Sequence, residues 1–135
     1  MSSINDVCDE IISTVDGALG CAVVDLNTGL LLGVAHKVPY FTHSYLDAVA
    51  AAAVDMFRGK TITAVEQLLS STRGSKVEKS IKEIQLTTDK TFHFMVVLED
   101  KPDCLVLLIT KNTTNLGMGW YALRSNLPSI SALCP

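Results

Sequence analysis

The sequence predicts a single α+β domain: an antiparallel five-stranded sheet with helices packed on its faces. Three observations carry this. Apolar residues recur at helical spacing near both ends and in the middle of the chain, five short apolar runs are separated by turn residues, and the runs come as a pair and then a triplet. The 135 residues fit one domain spanning 1–135, because a core of this size buries roughly two-thirds of the unfolded chain's surface and leaves no room for a second.

Residues 3 to 15 place Ile4, Val7, Cys8, Ile11 and Val15 on one helical face, with Ser3 and Asp6 in a capping-box arrangement and Gly17 as a stop. The runs 21–25 and 30–34 flank Leu26-Asn27-Thr28-Gly29, where Asn and Gly suit a tight turn, so a hairpin is expected. A connection over 35–43 leads to a second helix, about 45–58, capped by Ser44 or Thr42. After Gly59, the residues Ile62, Val65, Leu68 and Leu69 predict a short further helix ending before Arg73-Gly74. Strands are expected near 80–87, 91–98 and 104–110. The last is unbroken apolar and therefore central, whereas Ile84 and Leu86 alternate with polar residues as on an edge strand. A final helix carries Leu116, Trp120, Leu123 and Leu127, with Pro128 as its expected end.

The second helix is the most informative segment. Leu46, Val49, Ala50, Ala53 and Phe57 would cover the sheet, leaving Ala48, Ala51, Ala52 and Asp55 outside, small and almost uncharged. A helix that is apolar all round is buried all round, and small side chains let two backbones approach closely. The expected cover is the same helix of a second copy, although alanine is also the best helix former and an ordinary surface helix could look alike.

Composition narrows the function. The net charge is −3 and charged residues make up 19% of the chain, so the clustered basic surface that nucleic acid or an anionic membrane requires is missing; Arg73, Lys76, Lys79 and Lys82 are diluted by Glu78 and Glu83. Met-Ser-Ser-Ile-Asn-Asp has no basic region, no stretch approaches a membrane span of roughly 20 apolar residues, and a cytoplasmic location is expected. Cys8, Cys21, Cys104 and Cys134 are scattered and read as buried free thiols in a reducing compartment.

Chemistry-bearing patterns are sparse. His36, His43 and His93 lack the close pairing of a zinc site, and Cys21 with His36 or His93 lacks an orienting third group, so no catalytic residue, metal or cofactor is expected. Gly117-Met-Gly119-Trp-Tyr-Ala122 satisfies a dinucleotide-binding string but leaves no room for the second strand that motif needs, and its glycines read as close helix-on-sheet packing. Tyr40 and Phe41, beside Pro39, are candidates for an exposed contact surface.

In this order of elements, Gly20-Cys-Ala-Val-Val-Asp-Leu-Asn-Thr-Gly29 opens the sheet and Thr114-Asn-Leu-Gly-Met118 follows the last strand. Over residues 4 to 127 the sequence resembles the roadblock/dynein light-chain family, of the stand-alone bacterial or archaeal type. The resemblance implies a profilin-like sandwich with strand order 2-1-5-4-3. It also implies a homodimer formed through the long helix and the third strand, so that Ala48, Ala51, Ala52, Asp55, Ile84 and Leu86 become interface residues. The implied role is a non-catalytic scaffold or regulator of a small Ras-like GTPase, with Tyr40, Phe41, Arg58 and Arg73 as candidates for the partner surface and the two arginines as candidates to act in trans. The chain departs from the family pattern at Gly59 and in the long segment from Thr61 to Lys79. A ligand-sensing domain of PAS or GAF type, with a pocket lined by residues 30–34 and 36–43, shares the same plan and is the alternative.

Overall fold

The computed structural model describes residues 2–135. Its elements are α1 (Ile4–Thr14), β1 (Ala18–Asp25), β2 (Leu31–His36), α2 (His43–Arg58), α3 (Lys60–Arg73), β3 (Glu83–Thr87), β4 (Thr91–Val97), β5 (Cys104–Lys111) and α4 (Leu116–Leu133). The strands form one antiparallel sheet in the order β2-β1-β5-β4-β3. The uninterrupted apolar run of β5 thus occupies the middle of the sheet, and the alternating run of β3 lies at its edge.

Strand periodicity sends alternate residues to opposite faces, and each face has its own core. Val23, Phe94, Val96, Val106 and Leu108 face α1 and α4, where they meet Val7, Ile11, Leu123 and Ile130. Val24, Met95, Val97, Leu105 and Leu107 face α2, where Leu46, Ala50, Ala53 and Phe57 close over them. The capping box forms as the sequence predicts: Asp6 N–H donates to Ser3 Oγ (3.2 Å) and Ser3 N–H to Asp6 Oδ2 (3.0 Å). The β1–β2 turn closes through Gly29, which has φ +75° and donates to the carbonyl of Asp25 (2.7 Å).

The helix expected after Gly59 forms: α3 runs for 14 residues, from Lys60 to Arg73, and ends on Gly74 in the left-handed conformation. Two boundaries differ from expectation. β3 begins at Glu83 and not near 80, because Glu66 of α3 takes the backbone N–H of Ser80 away from any strand ladder. Pro128 does not end α4, which continues to Leu133. Pro128 lies exposed, so the Arg124 carbonyl it leaves without a helical donor can be solvated. The buried Ile130 and Ser131 hold the turn that follows.

Candidate protein-interaction surface

Thr42 starts α2 by accepting the N–H of Tyr45 (3.3 Å), and this fixes which side of the helix meets the sheet. Leu46, Ala50, Ala53 and Phe57 are buried, while Ala48, Ala51, Ala52 and Asp55 are exposed. Ile84 and Leu86 point to the same side of the sheet as α2. Ile84 packs at the rim of that core and Leu86 is 37% exposed. Since β3 pairs only with β4, its other edge offers unpaired backbone groups next to this small-residue face. Four of the six residues thus lie on the outer side of α2, and the other two on the edge strand of the sheet that α2 covers.

The neighbouring α3 is held by polar contacts. Its buried side chain is Glu66, whose carboxylate accepts the N–H (2.7 Å) and hydroxyl (2.5 Å) of Ser80, while Val65 and Leu68 are exposed. The Ser80 hydrogen bonds hold the Glu66 carboxyl below its ordinary range. At the same end of the sheet, Asp103 accepts from Lys79 (3.0 Å) and Asn27 (3.0 Å), and the Lys79 bond is the main cause of its depressed pKa.

Two of the four candidates for a partner surface are not available there. Phe41 is buried: its ring covers Gly20, where an added Cβ would sit 3.0 Å from it, and it stacks on Tyr45 at 4.9 Å between centroids. Arg58 is turned onto its own chain, donating through Nη2 to the Pro102 carbonyl (2.5 Å) and lying 3.8 Å from Asp103, so it ties α2 to the β4–β5 turn. Tyr40 is 68% exposed and Arg73 is exposed in the last turn of α3. Tyr45, on which Phe41 stacks, lies partly in solvent.

The histidines do not converge. His36 and His43 are exposed, His93 is half-buried with its pKa lowered by burial, and among the described residues no group of three or more His, Cys, Asp or Glu is placed to hold a metal. Of the two glycines in the dinucleotide-like string, only Gly119 sets helix-to-sheet distance, since a Cβ there would lie 2.5 Å from the Phe94 ring; Gly117 is exposed. The space between α2 and the sheet, lined by Ala22, Val34, Phe41, Leu46 and Leu107, leaves a void of about 10 Å³. That is room for roughly one water molecule and not for the ligand a sensor pocket would hold.

Sequence reasoning missed the polar end of the domain, where Asn27, Arg58, Glu66, Lys79, Ser80 and Asp103 meet from five segments. These residues have no periodicity that would group them, and their only signal was the length of the segment between α2 and β3.

By sequence the chain matches no family profile and no curated protein. Its structure is similar to solved ones. MglB of Myxococcus xanthus superposes with a TM-score of 0.70 at 18% identity, covering 96% of this chain and 93% of that one. A roadblock/LC7 domain from Streptomyces avermitilis gives 0.70 at 13% identity, covering 97% of each chain. MglC of Myxococcus xanthus gives 0.62 at 21%, covering 98% and 100%. No described helix is long and apolar enough to cross a membrane. Likeness at these identities establishes fold, and the fold of this chain is that of the roadblock/LC7 domains.

Proposed function

We propose that this protein is a homodimeric interaction module that regulates a small Ras-like GTPase by binding it. The observation that carries the reading is the exposed face of Ala48, Ala51, Ala52 and Asp55 beside the unpaired edge of β3. Two copies related by a two-fold axis would bury this face against itself and join their β3 strands, making an isologous interface in which each residue serves twice. The stable interfaces of such dimers bury about 1,200–2,000 Å², and a helix face together with a strand edge can supply an area of that order. The GTPase partner is what the sequence's resemblance to the roadblock family implies, and the shared roadblock/LC7 fold agrees with that resemblance; another related structure is described as MglB in a tetrameric arrangement, which supports self-association.

Regulation then works through differential affinity: the module favours whichever nucleotide state of the GTPase it binds more tightly. Arg73 is the arginine free to reach a bound partner, since Arg58 is committed to Pro102. The test is equilibrium binding of the purified protein to a small Ras-like GTPase from the same organism, loaded with GDP or with a non-hydrolysable GTP analogue. Tighter binding of one nucleotide state supports the regulator; equal affinity for both, or no binding to either, contradicts it.

A further inference from the structure

Helix α3 turns its apolar side outward. Thr61, Val65, Leu68 and Thr72 recur along it at alternating steps of four and three residues and form one uncharged stripe. All four are exposed, Leu68 at 69%. The opposite side carries Glu66 and Ser70, whose hydrogen bonds to Ser80 and Val77 fasten the helix to the chain entering β3. A stripe at this spacing is the pattern by which one helix packs on another, and among the described residues nothing covers it.

The sheet register fixes which part of a second copy would lie beside α3. The helix stands at the end of the sheet where β3 begins, since Ser80 leads into that strand and Arg58, the last residue of α2, reaches the β4–β5 turn there. The first turn of α2 stands at the opposite end. Phe41, which stacks on Tyr45, covers Gly20, and Gly20 is level with Ile109, His93 and Leu86 across the strands.

Two copies that bring their α2 faces together keep both helices on one side of the joined sheet. The two-fold axis then runs perpendicular to the sheet, and β3 meets β3 antiparallel. The start of one β3 lies beside the end of the other. This brings α3 of each copy level with the first turns of the other copy's α2, where exposed Tyr45 continues the stripe of Ala48 and Ala52 at helical spacing.

We propose that α3 is an arm that clasps a second copy of the chain, laying Leu68 and its stripe on the first turns of the other α2, around Tyr45 of the partner subunit. The inference rests on the dimer proposed above and extends it. The six residues assigned to that interface fall well short of the roughly 20–30 a side that a stable one uses, and the α3 stripe adjoins them through the single residue Gly59. The clasp also accounts for the inverted polarity of α3: with Glu66 and Ser70 holding the helix to its own chain, the apolar stripe is left for the partner.

The experiment is a dilution series of the full-length protein, followed by sedimentation, that yields the dimer dissociation constant of the wild type, Leu68→Glu and Tyr121→Glu. Leu68→Glu places a carboxylate inside the clasp and should raise the constant about tenfold or more, with an unchanged circular dichroism spectrum because Leu68 is exposed in the single chain. Tyr121→Glu, at an equally exposed position (73%) on α4 across the sheet, should leave it unchanged. Hydrogen exchange of the wild type above and below that constant reads the same contact even if the Leu68 variant does not fold: segments 60–73 and 43–48 should both slow in the dimer. An unchanged constant for folded Leu68→Glu, or exchange in 60–73 that is indifferent to dimerisation, would overturn the arm and leave the dimer standing. A wild-type monomer at every concentration would overturn both.

Discussion

The carboxylate of Glu66 accepts both the backbone N–H and the hydroxyl of Ser80, and through this pair α3 is attached to the chain entering β3. This carboxylate is one of two polar ties, the other being Ser70 Oγ, which accepts the N–H of Val77 (2.7 Å). Glu66→Ala leaves the Ser80 N–H without its acceptor and is expected to lower stability by about 1–3 kcal/mol, read as a fall in the urea midpoint. Val65→Ala, at an exposed position of the same helix, should change it by under about 0.5 kcal/mol.

The direction of pH dependence follows from four groups. His93 has a lowered pKa because of burial, Glu66 because of Ser80, Asp103 because of Lys79, and Asp100 because of Ser131. In each case the folded protein binds protons less readily than the unfolded chain, so the stability these groups contribute is present above their unfolded values and lost as pH falls. Urea midpoints should be level above about pH 7, begin to fall as the unfolded His93 value near 6.5 is passed, and fall further below about pH 4 as the carboxylates protonate. Glu66→Gln with Asp103→Asn should shrink the acid portion, leaving the share of Asp100, and keep the portion near pH 6 in place. A midpoint that rises on acidification would refute this assignment.

At Gly119 two effects oppose each other, and their sizes decide the sign. Alanine is a better helix former than glycine by about 1 kcal/mol. The added Cβ, however, would lie 2.5 Å from Phe94 Cζ, inside a ring that is itself fixed edge-on to Trp120 at 5.2 Å. Overpacking of this kind costs typically 1–3 kcal/mol, so Gly119→Ala is expected to lower the melting temperature. A rise would mean that α4 can shift away from the sheet.

Adjacent residues Tyr40 and Phe41 should behave oppositely on truncation. Phe41→Ala removes a buried ring packed over Gly20 and is expected to cost about 3–5 kcal/mol, whereas Tyr40→Ala, at an exposed ring, should stay within about 1 kcal/mol. Thermal unfolding of the two variants separates them; equal losses would place both rings in the core.

The sheet was legible because its signals are local. The unbroken run from Cys104 to Thr110 announced a central strand, and the alternation at Ile84 and Leu86 announced an edge. The two sides of α2 were legible for the same reason, since 3.6-residue spacing alone sorts Ala50 and Ala53 from Ala48, Ala51 and Ala52. What could not be read depended on contacts distant in sequence. Phe41 is drawn inward by the missing side chain of Gly20, Arg58 by a carbonyl 44 residues away, and the turns beyond Pro128 by Lys101 and the buried Ile130. The extent of α3 was legible from its spacing, but its orientation was not, because Val65 and Leu68 face solvent while polar Glu66 faces in, the reverse of the usual pattern.

The outer face of α2 is the central claim, and the most direct measurement is solution mass by light scattering over a concentration series, for the wild type and for Ala52→Arg. The wild type should be a dimer of about 29 kDa, twice the chain's 14.5 kDa, and the variant a folded monomer, because two guanidinium groups facing each other across a two-fold axis repel and cannot be solvated. A wild-type monomer at every concentration, or a variant that remains dimeric, would contradict it.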